Sequence, residues 1–240
     1  MEIVGMDQIS PDQVIFWTWG FVTINATLVY TWFVMAILVA GSWWITRRIS
    51  RDLTIPRWQN FLEVVVSGIR GEIREIVPER ADYYLPFIGT LFLFIALSNL
   101  LAVVPGYVAP TSSLMTTGAL AICVFISVPL FGIVGHGVKH YIKEYFQPTF
   151  IFFPFHVMGE ISRTLALMVR LFGNIMSHEK VIAILLAVTP LFFPVVMQAL
   201  GLLIGLIQAY IFAILAMVYI SSAAQAHDEQ LHRSGGEKAH

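Results

Sequence analysis

Arg170 stands in the middle of an apolar run, Leu165-Ala-Leu-Met-Val-Arg170-Leu-Phe-Gly-Asn174. A guanidinium in hydrocarbon costs about 2.5–3.5 kcal/mol even on a lenient insertion scale, and it cannot shed its proton to escape. The ends of the run lie too far away for one side chain to snorkel out. A water-filled cavity or a carboxylate must therefore face this charge. An ionisable group at that depth reads by default as part of a functional site.

Other polar residues share its side of the segment. On a helical wheel Glu160, Arg163, Arg170, Asn174, Ser177 and His178 fall within about 100° of one another, with Leu167 and Leu171 close by. Glu160 and Arg163, at i and i+3, read as a structural salt bridge. Arg170 has no carboxylate one turn away, so its partner must come from another segment or another chain. His178 and Glu179 are adjacent and cannot pair with each other on a helix. Each can titrate or relay a proton, or else simply reach headgroup water. The following segment carries Gln198, Gly201, Gly205 and Gln208 on one face. Gly201-x-x-x-Gly205 permits close approach and is expected to pack against the preceding helix. Gln208 needs a partner in hydrocarbon and is expected to help position Arg170.

Metal and nucleotide chemistry find little support. His136 and His140 have i,i+4 spacing, but Gly137 replaces the glutamate of a His-Glu-x-x-His site, and a solvated basic turn explains them better. There is no Gly-x-x-x-x-Gly-Lys-[Ser/Thr] loop. Cys123 is the single cysteine and lies in an apolar run, so no internal disulfide forms. No cofactor, resident metal or catalytic residue is expected.

The elements that must hold these groups are membrane helices. The 240 residues are 58% hydrophobic and 12% charged, with mean hydropathy +0.78, about half the charged fraction of a soluble domain. Five apolar segments emerge, at about 15–45, 85–104, 114–135, 150–188 and 195–224. Residues 1–14 are acidic and the first run is too long for a signal sequence, so the chain is expected to enter the membrane through its own first helix. The polar region 46–83 carries Arg47, Arg48, Arg51, Arg57, Arg70, Arg74 and Arg80, which places it in the cytoplasm and residues 1–14 outside. Within it Phe61, Val64, Val65, Ile69 and Ile76 recur near helical spacing, as in an amphipathic helix on the membrane surface or against a partner. His136, Lys139, His140 and Lys143 mark a second cytoplasmic turn, and residues between 139 and 149 leave room for a short re-entrant piece. The tail 225–240 lies inside. The net charge of −1 gives no sign of nucleic acid as a partner. A helix over 150–188 would run about 58 Å against a hydrocarbon core of about 30 Å. It and the similarly long fifth segment are expected to form a tilted hairpin, closed between Thr189-Pro190 and Pro194.

At these residues the chain resembles the a subunit of F-type ATP synthases. The motif is Arg170-Leu-Phe-Gly-Asn174 followed by Glu179, with Gln208-Ala-Tyr-Ile-Phe212 and Val218-Tyr-Ile-Ser221 downstream. Ser98-Asn-Leu-Leu101 and Val104-Pro-Gly106 match an earlier helix and its exit turn, and Arg163 sits where the family has a basic residue. The likeness runs from about residue 56 to 225.

The resemblance implies an all-α polytopic stator whose last two helices lie beside a ring of c subunits, in the inner membrane of a bacterial cell. It implies two aqueous half-channels with the family's arginine, matched by Arg170, between them. Asn174, His178, Glu179 and Gln208 would line or shape these channels, with Glu160, Arg163, His156 and Ser177 as further lining positions. The implied partners are the c ring, peripheral-stalk b subunits and, through the stalk, a soluble catalytic head. The implied cargo is a proton or a sodium ion. Two departures stand out. His156 occupies a position where the family commonly has a carboxylate, and Gly201 occupies one where it often has a titratable group, which His178 would supply from the facing helix. With the long basic loop and short N-terminus they suggest a divergent branch. A secondary ion transporter is the alternative class, although the internal repeat it would favour is not visible. An intramembrane metalloenzyme comes third.

Overall fold

The computed structural model describes residues 15–19, 22–47, 57–78, 80–104, 106–136, 153–189 and 193–237. Strands β1 (Ile15–Trp19) and β2 (Val22–Asn25) pair antiparallel and lead into helix α1 (Ala26–Arg47). Helices α2 (Arg57–Ile76) and α3 (Ala81–Leu101) follow, then a 3₁₀ turn at Pro110–Ser112 and α4 (Leu114–His136). Helices α5 (Phe153–Val188) and α6 (Phe193–Glu237) complete the chain. Five helices are long and apolar enough to cross a membrane, at Ala26–Trp44, Ala81–Leu101, Leu114–Val134, Val157–Val188 and Phe193–Ser222. The protein is an all-helical polytopic membrane protein with one small hairpin before its first span.

That hairpin corrects the expected start of the first helix, which lies at Ala26 rather than near residue 15. Apart from Asn25, the residues of Ile15-Phe-Trp-Thr-Trp19 and Val22-Thr-Ile-Asn25 are β-branched or aromatic, and they favour a pleated pair. Hydropathy alone merges them with the apolar helix that follows. A smaller shift occurs at α3, which starts at Ala81, ahead of the segment expected at 85–104, and carries Pro86 inside it. Residues 1–14, Arg48, Arg51, Lys139, His140, Lys143 and the whole of 139–149 lie outside the described residues.

The amphipathic stretch forms α2, and part of its apolar stripe is docked. Ile73 is fully buried, and Ile69 and Ile76 pack onto the core, whereas Val64 is exposed. Arg70 pairs with Asp82 at 2.6 Å, and the Tyr210 hydroxyl donates to Glu72 at 2.7 Å, so α2 is tied to both α3 and α6.

The most extensive helix pairing joins α3 to α6. Helix α6 offers a buried stripe of small residues, Gly205, Ala209, Ala213 and Ala216, and α3 lays Tyr84, Ile88, Leu91 and Ile95 into the core. In lipid there is no hydrophobic force between helices, so such close approach supplies the packing that holds them. Helix α5 buries Leu167, Leu171 and Ile175 and packs on α4 and α6. With 36 residues it is about 54 Å long, so it must tilt or project from the bilayer.

Candidate functional site

Leu167, Leu171 and Ile175 turn one flank of α5 into the bundle, and the helical period then turns Arg163, Arg170, Asn174 and Ser177 to the uncovered flank. Among the described residues Arg170 makes no hydrogen bond and no ion pair. Its charge stands on the outside of the bundle, within the apolar stretch Val157–Val188, where hydrocarbon tolerates a lone guanidinium poorly.

Gln208 does not reach Arg170 as expected. It is buried on α6, and its Oε1 accepts a hydrogen bond from Asn174 Nδ2 at 3.2 Å, one turn beyond the arginine. The amide nitrogen of Gln208 is buried without a partner among the described residues. The amide pair thus spaces α5 from α6 directly behind the arginine.

Glu160 and Arg163 do not pair either, because Arg163 leans over the Tyr219 ring of α6, 5.5 Å from its centroid. A cation over an aromatic face gains without requiring a desolvated carboxylate. Glu160, Arg163, Thr164 and Tyr219 line a small cleft at that end of α5. His156 lies on the same helix, in its first turn.

The other end of the site is a cleft of about 330 Å³ lined by Asn99, Tyr107, His178, Glu179, Gln198 and Gly201, among others. The His178 ring reaches α6 at Gly201, where an added Cβ would overlap it. Gly205, one turn on, accepts Asn99 of α3 in the same fashion, with an added Cβ only 2.9 Å from Asn99 Cβ. The Gly-x-x-x-Gly pair therefore serves two different helices, and only its first glycine faces α5 as expected. Glu179 points to the other wall, where the Ser112 hydroxyl and Ala109 backbone lie beside its carboxyl. Adjacent in sequence, His178 and Glu179 line one cleft from two sides.

A hydrogen-bond chain braces this cleft. Asn99 Nδ2 donates to the Gly205 carbonyl at 2.9 Å, and Thr111 Oγ1 donates to Asn99 Oδ1 at 2.7 Å. Gln198 Nε2 donates to the Ala102 carbonyl at 2.9 Å, beyond the end of α3. Reasoning from the wheel of α5 missed Thr111, Ser112 and Tyr107, which come from the 102–113 connection. The signal available was Thr111-Ser-Ser113, a polar run in a segment with no charge to solvate.

Known proteins resemble this chain in sequence. A family model described as ATP synthase A chain matches residues 28–221. The chain belongs to the ATP synthase A chain family. "ATP synthase subunit a 2" of Acaryochloris marina is 58% identical over 232 residues, covering 97% of this chain and 99% of that protein. "ATP synthase subunit a 2" of Picosynechococcus is 58% identical over 223 residues, 93% of this chain and 96% of that one. "ATP synthase subunit a" of Nitrosospira multiformis is 53% identical over 234 residues, 96% and 93% of the two chains. The matched residues reach into all five apolar helices and include the named residues of both clefts. No cluster of three or more potential metal ligands occurs among the described residues.

Proposed function

We propose that the chain is the ion-translocating stator of a rotary ATP synthase and carries no active site of its own. The observation that carries this is Arg170, a permanent cation on the uncovered flank of a membrane helix with no partner among the described residues. Lipid cannot satisfy that flank. A neighbouring ring of c subunits, each with one membrane-embedded carboxylate, would satisfy it once per passing subunit. The arginine attracts an empty carboxylate, favours ion release, and repels a cation seeking a direct path between the two clefts. The pairing must remain weak enough to break as the ring turns.

The cleft at His178 and Glu179 serves as one half-channel, and the end of α5 with His156, Glu160 and Arg163 leads toward the other. Asn174, Ser177 and Gln208 shape the surface between them. The arginine-rich loop puts residues 46–83 and the C-terminal tail in the cytoplasm, so the His178–Glu179 cleft opens outward. The setting is the inner membrane of a bacterial cell. The transmembrane potential drives each charge with about 2.3 kcal/mol per 100 mV, and the ring gathers several such steps per ATP. The ion is a proton, with sodium as the alternative. Stalk b subunits hold the chain against a soluble catalytic head.

Purification through a C-terminal tag in mild detergent tests the assembly. Recovery of an oligomeric ring of small carboxylate-bearing hairpins together with ATPase activity is the expected result. Repeated recovery of the chain without either would remove the stator role.

A further inference from the structure

The bundle holds α1 only along its first half. Ala26, Thr27 and Val34 are buried and Leu38 packs on the core, but no described residue of the helix beyond Leu38 is buried. The apolar span closes at Trp44, and the helix continues to Arg47. Trp43, Trp44 and Arg47 are all exposed, at the level where hydrocarbon gives way to headgroups. Trp32, Met35, Val39 and Trp43 form an exposed stripe that leads to Arg47, all five within about 120° of one another around the helix. From Trp32 to Trp43 the stripe runs about 16 Å, close to the hydrocarbon depth of one leaflet.

The positive charge at this end is local. Residues 46–83 carry seven arginines against six acids, so the polar region as a whole is almost neutral. Three of the seven, Arg47, Arg48 and Arg51, fall within five residues at the end of α1, ahead of the first acid, Asp52. Arg48 and Arg51 lie outside the described residues and enter by sequence alone. Arg70 of α2 pairs its charge with Asp82, whereas Arg47 has no ion pair among the described residues. Its guanidinium lies over the Trp43 ring, 5.1 Å from the centroid. A guanidinium held on an aromatic face keeps its N–H donors for a second ligand, and their fork matches two oxygens of a phosphate.

We propose that the cytoplasmic end of α1 binds one anionic phospholipid of the inner leaflet. Arg47 takes the phosphate, the Trp43 ring holds the guanidinium at headgroup level, and an acyl chain lies along Val39, Met35 and Trp32. The neighbouring arginines favour a headgroup of net negative charge over a zwitterionic one. A lipid suits this stripe better than a second membrane helix does, because bulky side chains build it and none of the small residues that let helix backbones approach lies on it. The site stands apart from the ion path, so its failure would leave the stator reading untouched.

Native mass spectrometry of the intact complex tests it, after reconstitution with equal phosphatidylglycerol and phosphatidylethanolamine and extraction in mild detergent. Wild type should retain one phosphatidylglycerol more than Arg47→Gln, and Trp43→Ala should lower that occupancy several-fold. Arg74→Gln, which removes an exposed arginine of α2, should match wild type. Added phosphatidylglycerol should raise the melting temperature of wild type more than that of Arg47→Gln, and inorganic phosphate at the same concentration should raise neither. Equal retention by wild type and Arg47→Gln, or an equal loss in Arg74→Gln, would overturn the site. Protection by inorganic phosphate as strong as that by phosphatidylglycerol would overturn the lipid as its ligand.

Discussion

The His178 imidazole fills the space that any side chain at Gly201 would need, so one glycine on α6 makes room for one titratable group on α5. The group and the gap are complementary across a helix interface. A titratable side chain can therefore stand in this cleft from either helix, provided the other supplies the space.

Gly201→Ala should accordingly displace the His178 ring and slow ATP-driven pumping by about tenfold, equivalent to about 1.4 kcal/mol. The exchanged pair His178→Gly with Gly201→His should pump faster than His178→Gly alone. Acidification rates in inverted vesicles check both statements. Equal rates for the exchanged and single variants would show that the cleft needs His178 itself on α5.

Gly205 makes a structural prediction of the same kind on the α3 interface. Gly205→Leu should force Asn99 and its hydrogen bond away from α6 and destabilise the subunit by about 1–3 kcal/mol, the usual range for overpacking. Lower thermal stability of the purified complex in detergent, with loss of the assembled chain, is the expected outcome. Unchanged stability would mean that α3 and α6 do not approach this closely.

The Asn174–Gln208 hydrogen bond should appear as a modest coupling of about 0.6 kcal/mol, typical for polar pairs between membrane helices. A double-mutant cycle of Asn174→Ala and Gln208→Ala on pumping rate measures it. Strict additivity would separate the two amides. Coupling of Gln208 to Arg170 in place of Asn174 would restore the arrangement expected from the sequence.

Much of this architecture was legible beforehand because membrane helices announce themselves by uninterrupted apolar length. The charge at Arg170, the excess length of the last two helices and the amphipathic α2 all followed from composition and period. The β1–β2 hairpin did not, since hydropathy is blind to whether an apolar stretch pleats or coils. Side-chain pairing was harder still. Arg163 preferred the Tyr219 ring over Glu160, and Gln208 preferred Asn174 over Arg170, choices decided by how α5 and α6 cross. A wheel of one helix contains no information about its neighbour. The far wall of the cleft came from the 102–113 connection, distant in sequence from α5 and brought to it only by the folding of α3 and α4.

Arg170→Lys should fail nearly as fully as Arg170→Ala. A lysine keeps the charge only while hydrated, and its pKa shifts readily on burial, whereas the guanidinium remains a cation at any depth. Pumping by Arg170→Lys at more than a small fraction of the wild-type rate would mean that a partly hydrated point charge suffices.

The most direct measurement is ATP-driven acidification of inverted vesicles carrying the assembled complex, wild type beside Arg170→Ala, in sodium-depleted buffer. The account predicts acidification by wild type and none by Arg170→Ala, with equal amounts of assembled complex in both membranes. Acidification that waits for added sodium would keep the stator and change the ion. Equal acidification by both would contradict the central role given to Arg170.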